Sequence, residues 1–176
     1  TADGILLEVD AARVAEVQKR LLMYRLRAKV EIAPEEHLHV FAGWDAPAPP
    51  GAFTDPRLAA LGWRYYASAP LQGEQSDYEA HRIYLAVPDA HDLIVDKSLP
   101  LEWGMDALGA VDFDKGCYVG QEVTARMRYR AQMRHYIHSI RAKSGVLPPP
   151  GTPVLQAEKE VGMLYSVYAN MGLGRI

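Results

Sequence analysis

Apolar residues alternate near the start of the chain, where Ile5, Leu7 and Val9 predict a strand. Asp10 then stands in N-cap position, with Val9 and Val14 spaced as a hydrophobic staple across it. From here the period changes. Val14, Val17, Leu21 and Tyr24 fall on one helical face, opposite Glu16, Lys19 and Arg20, which predicts an amphipathic helix packed on a sheet. Val30 and Ile32 begin a second predicted strand, and Leu38, Val40 and Ala42 alternate in a third. The resulting β-α-β-β order suits half of a ferredoxin-like α+β unit over residues 5 to 45. AlaProAlaProProGly, 46 to 51, extends neither a strand ladder nor a helix, and predicts a loop that separates packing units.

Beyond that loop, LeuGlyTrpArgTyrTyr supplies strand-forming aromatics with a cation among them. Trp63 and Tyr65 suit core packing, with stacking on a flat ring as the alternative. Ser76 and Glu79 stand in capping-box spacing, so a helix is expected from Asp77 to just before Pro88. Residues 101 to 113, with Trp103, Gly104 and Gly109, form a turn-rich approach to a second helix, which opens after Gly120 with GlnGluValThrAlaArgMet. Glu122 and Arg126 are spaced i to i+4 with the acid first, worth a few tenths of a kcal/mol, roughly. From Tyr136 onward short β-prone pieces are broken by ProProProGly, 148 to 151, and by Gly162, Gly172 and Gly174. They predict a small antiparallel barrel, incomplete at this length.

Composition changes this picture little. With 176 residues, 49% hydrophobic and 23% charged, the chain suits one ordinary domain or parts of two. No apolar run approaches the roughly eighteen residues needed to cross a bilayer. The start, TADGILLEVD, has no basic n-region or signal core, so the chain is read as soluble and unexported. Charge adds more. Residues 115 to 143 hold seven Lys or Arg against Glu122, or +6, which leaves −9 for the rest of a chain of net charge −3. Such a stretch is either a solvated face or a surface for an anion, whether folate with its glutamate tail or RNA phosphate. Neither RNP-type aromatics nor zinc-knuckle spacings accompany it. His37 and His39 share a strand face without further ligands nearby, so no metal site is expected.

The single cysteine excludes an internal disulfide and lies in Lys-Gly-Cys-Tyr-Val-Gly-Gln-Glu, 115 to 122. Lys115 is two residues before Cys117, Gly116 opens the backbone on one side, and a helix entrance follows. A cation and a helix N-terminus both favour thiolate over thiol. The same residue, taken alone, reads first as a small buried hydrophobe, the usual place of a lone cysteine.

The octapeptide resembles the KGCYxGQE motif of the YgfZ proteins, folate-binding relatives of the glycine cleavage T-protein. DPRLAALGWR at 55 to 64, HRIYLAVPDA at 81 to 90, GAVDFDKGCYVGQEVTARMRYR at 109 to 130, and the GTPV and EVGMLYS segments resemble that family in the same order. The match spans roughly the last two-thirds of a family member, implying that the domain normally preceding Ile5 is absent and that the end at Ile176 is early. Residues 1–134 would then form the folate-binding region, and 135–176 the barrel. The resemblance implies tetrahydrofolate, or a one-carbon derivative, as ligand, and a role in assembly or repair of iron-sulfur enzymes, including those that modify tRNA. Its partners would be iron-sulfur client proteins and, indirectly, tRNA-modifying enzymes, with the chain itself a monomer in the cytoplasm or, in a eukaryote, the mitochondrial matrix.

Residue by residue, the resemblance makes Cys117 and Lys115 the chemical pair, with Gly116, Tyr118, Gly120, Gln121 and Glu122 completing the motif. Tyr78 and Arg82, one turn apart on a helix face, and Arg126 would contact folate. Glu122 is open to two uses, support of the helix or orientation of Lys115 or a bound pterin. The T-proteins carry a glutamate in place of Tyr84 and a glycine in place of Ala86, and their motif is KGDFIGRE-like, without the thiol. These departures weigh against the second reading, a folate-dependent aminomethyltransferase or related one-carbon transferase. A third reading is an RNA-binding module built on the basic stretch.

Overall fold

Asp10 opens the first helical segment. Its carboxylate accepts the N–H of Ala12 at 2.8 Å, a 3-10 turn covers Ala11–Arg13, and helix α1 continues over Val14–Arg25. The computed structural model describes residues 4–69, 75–130 and 133–176, and of residues 75 and 76 the backbone alone. Among the described residues the chain is mixed α+β, with two antiparallel sheets.

The predicted ferredoxin-like half is not formed. Residues 5 to 9 form no regular structure and join no ladder, and Ile5, Leu7 and Val9 are exposed while Glu8 bonds Arg64 and Tyr66. Nor do Val30 and Ile32 form a strand. Their carbonyls instead accept side-chain bonds from α1, Arg25 Nη1 to Val30 O at 3.0 Å and Gln18 Nε2 to Ile32 O at 3.1 Å. α1 buries no residue, so it does not pack on a sheet as expected. Alternation marks a chain ready to pair, but a strand forms only where a neighbour offers complementary backbone groups.

The first sheet contains β1 (His39–Gly43), β2 (Phe53–Thr54) and β3 (Trp63–Ala67) in the order β1-β3-β2. β3, with its aromatic and β-prone residues, is the central strand and pairs with both neighbours. The proline-rich loop is irregular as predicted, yet it joins two strands of this one sheet and separates nothing. β1 ends at Gly43, the chain turns at Asp45 with φ +53, and the three prolines that follow remove three ladder donors without ending the packing unit.

Helix α2 spans Gln75–Tyr84. The predicted Ser76–Glu79 capping box lies outside the described residues, because the side chain of Ser76 does. At its far end Ala86 takes φ +57 and the N–H of Val87 closes on Arg82 O at 2.8 Å, a left-handed cap in which glycine is the usual residue. The glycine that T-proteins carry in place of Ala86 thus has a backbone explanation.

α3 covers Gln121–Tyr129, and β4 (Ile137–Arg141), β5 (Pro153–Gln156), β6 (Lys159–Tyr168) and β7 (Met171–Arg175) make the second sheet, ordered β4-β7-β6-β5. The predicted barrel does not close: β4 and β5 remain edges among the described residues. The segment between them bonds the β6–β7 turn and β6 through its backbone, Leu147 N–H to Ala169 O and Gly151 N–H to Leu164 O. α2 lies against β6 and β7, where Ile83, Trp103 and Leu173 form the buried core with Ile137, Tyr165 and Met171 around it. Burial of such side chains stabilises by about 1.5–3 kcal/mol each.

Candidate functional site

The motif loop is open. Cys117 is exposed, Val119 beside it is fully exposed, and Lys115 Nζ lies 5.0 Å from the ring centre of Tyr118. No hydrogen bond or ion pair joins Lys115 to Cys117 among the described residues. Gln121 ties the loop to α3, its Oε1 accepting the Tyr118 N–H at 3.1 Å, and Arg128 stacks 3.7 Å from the ring centre of Phe113. Gly120 is the N-cap of α3 at φ +91. Thr124 bonds its carbonyl through both N–H and Oγ1. Glu122 stands in the first turn of α3 but makes no ion pair with Arg126 within 4.0 Å among the described residues. The burial expected of a lone cysteine is not found.

Tyr78 enters a polar network around Asp55. Its Oη accepts from Arg57 Nη2 at 2.7 Å and Arg64 Nη2 at 3.1 Å, and both guanidiniums bond the Asp55 carboxylate, with closest contacts of 2.8 Å. Burial pushes the Asp55 carboxyl up, but the bonds from Arg57 and Arg64 outweigh it and bring its pKa down to about 2. Trp44 stacks on His81 at 4.3 Å and 5°, with Tyr78 tilted 6.4 Å away. An aromatic surface beside cations results.

Arg82, though only one turn from Tyr78, belongs to a different network. It is fully buried, and its guanidinium reaches Asp92 at 2.8 Å, Glu79 at 2.5 Å, His91 Nε2 at 2.8 Å, Ser166 Oγ at 2.9 Å and Val87 O at 3.2 Å. Ser166 in turn donates to Asp92. Burial alone would lower the Arg82 pKa, but the Glu79 bond and the Asp92 charge raise it. All of its forked donors are engaged within the protein, so a ligand carboxylate would have to displace one of these partners.

Arg126 stands apart from both networks. It lines a depression of about 500 Å³ with Lys97, Leu99, Glu102, Met127, Arg134 and Arg175 among its neighbours. The predicted contacts therefore do not converge. Tyr78, Arg82, Arg126 and Cys117 occupy four separate settings, with no hydrogen bond, ion pair or ring contact joining any two of them among the described residues.

Sequence reasoning assigned no role to Asp55, Arg57, Arg64, Asp92 or Ser166. The signal was present: Asp55, Arg57 and Arg64 all lie in DPRLAALGWR, and Ser166 closes EVGMLYS. The segments that carry the family resemblance are thus largely those that build the two ion networks. No group of His, Cys, Asp and Glu among the described residues forms a metal site, and no described helix is long and apolar enough to cross a membrane.

No protein-family model matches this chain. It is similar to the human mitochondrial iron-sulfur cluster assembly factor IBA57, with 34% identity in an alignment covering 97% of this chain and 55% of the human protein. The mouse protein of the same name is 33% identical over 85% of this chain and 48% of its own length. A mitochondrial homologue from Neurospora crassa is 34% identical over 76% of this chain and 37% of that protein. The chain spans about half the length of the curated human and mouse relatives it matches.

Proposed function

We propose, from its likeness to those assembly factors, that this chain works in iron-sulfur cluster assembly, in mitochondria as the names of the relatives indicate, and that it does so as a YgfZ-like folate-binding protein. The observation that carries the reading is the similarity over 97% of the chain to the human factor. The exposed thiol of Cys117 supports it from the side of chemistry. One cysteine supplies one thiolate where a four-iron cluster normally takes four, so the cluster is cargo whose remaining ligands come from a partner. Iron-sulfur proteins, tRNA-modifying enzymes among them, are the proposed clients. Lys115 keeps a positive charge in the loop, and Gln121 fixes the approach to α3.

Tetrahydrofolate is the proposed ligand on the α2 side. The Tyr78 ring and the Trp44–His81 stack suit a pterin face, and Arg57, whose Nη1 makes no hydrogen bond among the described residues, suits its acidic tail better than Arg64 or Arg82, whose donor nitrogens are all engaged. Folate when bound would supply or accept a one-carbon unit, while these residues bind and orient it. The aminomethyltransferase and RNA-binding readings gain nothing from the comparisons.

The test is made in cells deprived of their own assembly factor of this type. The protein should restore iron-sulfur enzyme activity, and Cys117→Ala should fail to do so while melting normally. No restoration by the unaltered protein would end the assembly reading, and full restoration by Cys117→Ala would remove the thiol from it. Calorimetry with tetrahydrofolate tests the ligand separately. Tyr78→Ala should weaken binding about tenfold, the loss of one ring contact, and unchanged affinity would take Tyr78 out of the site.

A further inference from the structure

The depression holding Arg126 is not used by the reading above. It forms where four parts of the chain meet: the turn at Lys97 and Leu99, the 3-10 turn Pro100–Trp103 with Glu102, the side of α3 carrying Val123, Arg126 and Met127, and the segment Arg134–His135 near Arg175 of β7. Paired bonds between Tyr136 and Ile176 hold that last segment in place, Tyr136 N–H to Ile176 O at 2.7 Å and Ile176 N–H to Tyr136 O at 2.9 Å. The depression is open to solvent, with this side of it held by backbone bonds. Its volume, about 500 Å³, is that of a small-molecule site.

Its lining is unequal in charge. Lys97, Arg126, Arg134 and Arg175 bring four fixed cations, and His135 a titratable ring, while Glu102 is the only acid. Glu102 is already committed, since Arg175 Nη1 bonds its Oε2 at 2.5 Å. Lys97, Arg126 and Arg134 are left without a carboxylate partner among the described residues. Three like charges around one hollow repel one another, and an anion placed among them relieves that repulsion. Leu99, Val123 and Met127 give the same hollow an apolar side.

We infer that this cleft is a binding site for a small polyanion, a molecule with at least two oxyanion groups held by Arg126, Arg134 and Lys97 and a neutral stem laid against Leu99, Val123 and Met127. Two planar guanidiniums match carboxylate or phosphate oxygens in forked pairs, and the ammonium adds a third point of charge. The site is distinct from the α2 surface, because neither Tyr78 nor Arg82 lines it. It stands whether or not the chain binds folate there. A compact ligand is met by these three cations alone, whereas a nucleic-acid strand would also track the exposed Arg141 at the end of β4 and Lys143 beyond it.

Calorimetry at low salt with the intact chain tests this, with pyrophosphate and triglutamate as probes and a single-stranded RNA oligonucleotide for comparison. At least one of the two small probes should bind, and the stronger one tells whether the oxyanions are phosphates or carboxylates. The double variant Arg126→Gln with Arg134→Gln should lose about tenfold or more in affinity. Both side chains are exposed, so the fold should survive, and an unchanged melting temperature checks it. Arg141→Gln with Lys143→Gln removes the same charge outside the cleft and should bind like the unaltered chain. No binding of either probe overturns the site. Equal losses in the two double variants overturn it also, since only diffuse charge would then be at work. RNA bound more tightly than both probes, through Arg141 and Lys143, would replace the cleft with an extended strip.

Discussion

Gly116 and Gly120 stand four residues apart in the same motif and answer to different constraints. Gly120 caps α3 at φ +91, a conformation that costs a residue with a Cβ about 1–2 kcal/mol. Gly116 has no positive φ, and a methyl group added there meets nothing within 4 Å. Gly120→Ala should therefore lower the unfolding free energy by about 1–2 kcal/mol in urea titrations, while Gly116→Ala stays within about 0.5 kcal/mol. If Gly116→Ala is also inactive in cells, the glycine serves approach by another molecule and not the loop itself. Asp55 offers a second test at this scale. With its pKa near 2 instead of the ordinary 3.8, its contribution to stability is complete above about pH 4 and is lost as the pH falls toward 2. The amount is about 2 kcal/mol, and acid titration of unfolding free energy should show this step in the unaltered chain and lack it in Asp55→Asn.

At the scale of elements, the hairpins show how far local sequence can mislead. β6 and β7 are joined by Ala169 and Asn170, with Ala169 at φ +52, and β5 and β6 by Ala157 and Glu158, at φ +48 and +68. Such turns favour Gly or Asn, and neither Ala-Asn nor Ala-Glu announces a hairpin. The strands were nevertheless legible from their composition, because residues 153 to 156 and 159 to 168 pair over a long register. Ala169 is exposed, so Ala169→Gly loses no packing and relieves the left-handed strain. Its melting temperature should rise, by an amount corresponding to about 1 kcal/mol, and a fall would show that the turn is not strained.

Over the whole molecule, α2 is the brace between the two sheets. Tyr78 on its first turns reaches the Asp55 network beside β3, His81 stacks on Trp44 just after β1, and Arg82 and Ile83 face β6 and β7. Arg82→Met should cost about 3–5 kcal/mol, since it leaves Asp92 charged and without its guanidinium in a buried site. Denaturant titration measures this. The double variant Arg82→Met with Asp92→Leu should recover much of the loss, as replacement of a whole buried pair often does. An equal loss in both variants would place the cost in packing instead of charge. The N-terminal part, by contrast, is tied to the first sheet by the polar contacts of Glu8 with Arg64 and Tyr66, while α1 buries nothing and Ile5, Leu7, Met23, Tyr24 and Leu26 are exposed.

What the sequence determined by itself is whatever depends on neighbours along the chain. Asp10 caps a helix start, the aromatics of residues 63 to 67 make a strand, the proline-rich stretch stays a loop, and α3 begins after Gly120, all because caps, φ limits and side-chain periods act within a few residues. KGCYVGQE was legible for the same reason. Only tertiary structure decided the matters that need a distant partner. Residues 5 to 9 and 30 to 32 have a strand's pattern and no strand to pair with. Arg82 and Tyr78 share a helix face in sequence, yet Asp92 and Ser166 bury one and the Asp55 network holds the other. Arg126 sits i+4 from Glu122 and instead lines the cleft made with Glu102, Arg134 and Arg175. A charge can be counted from the sequence, but its partner is chosen by the fold, because Coulomb and hydrogen-bond energies depend on distances that sequence separation does not give.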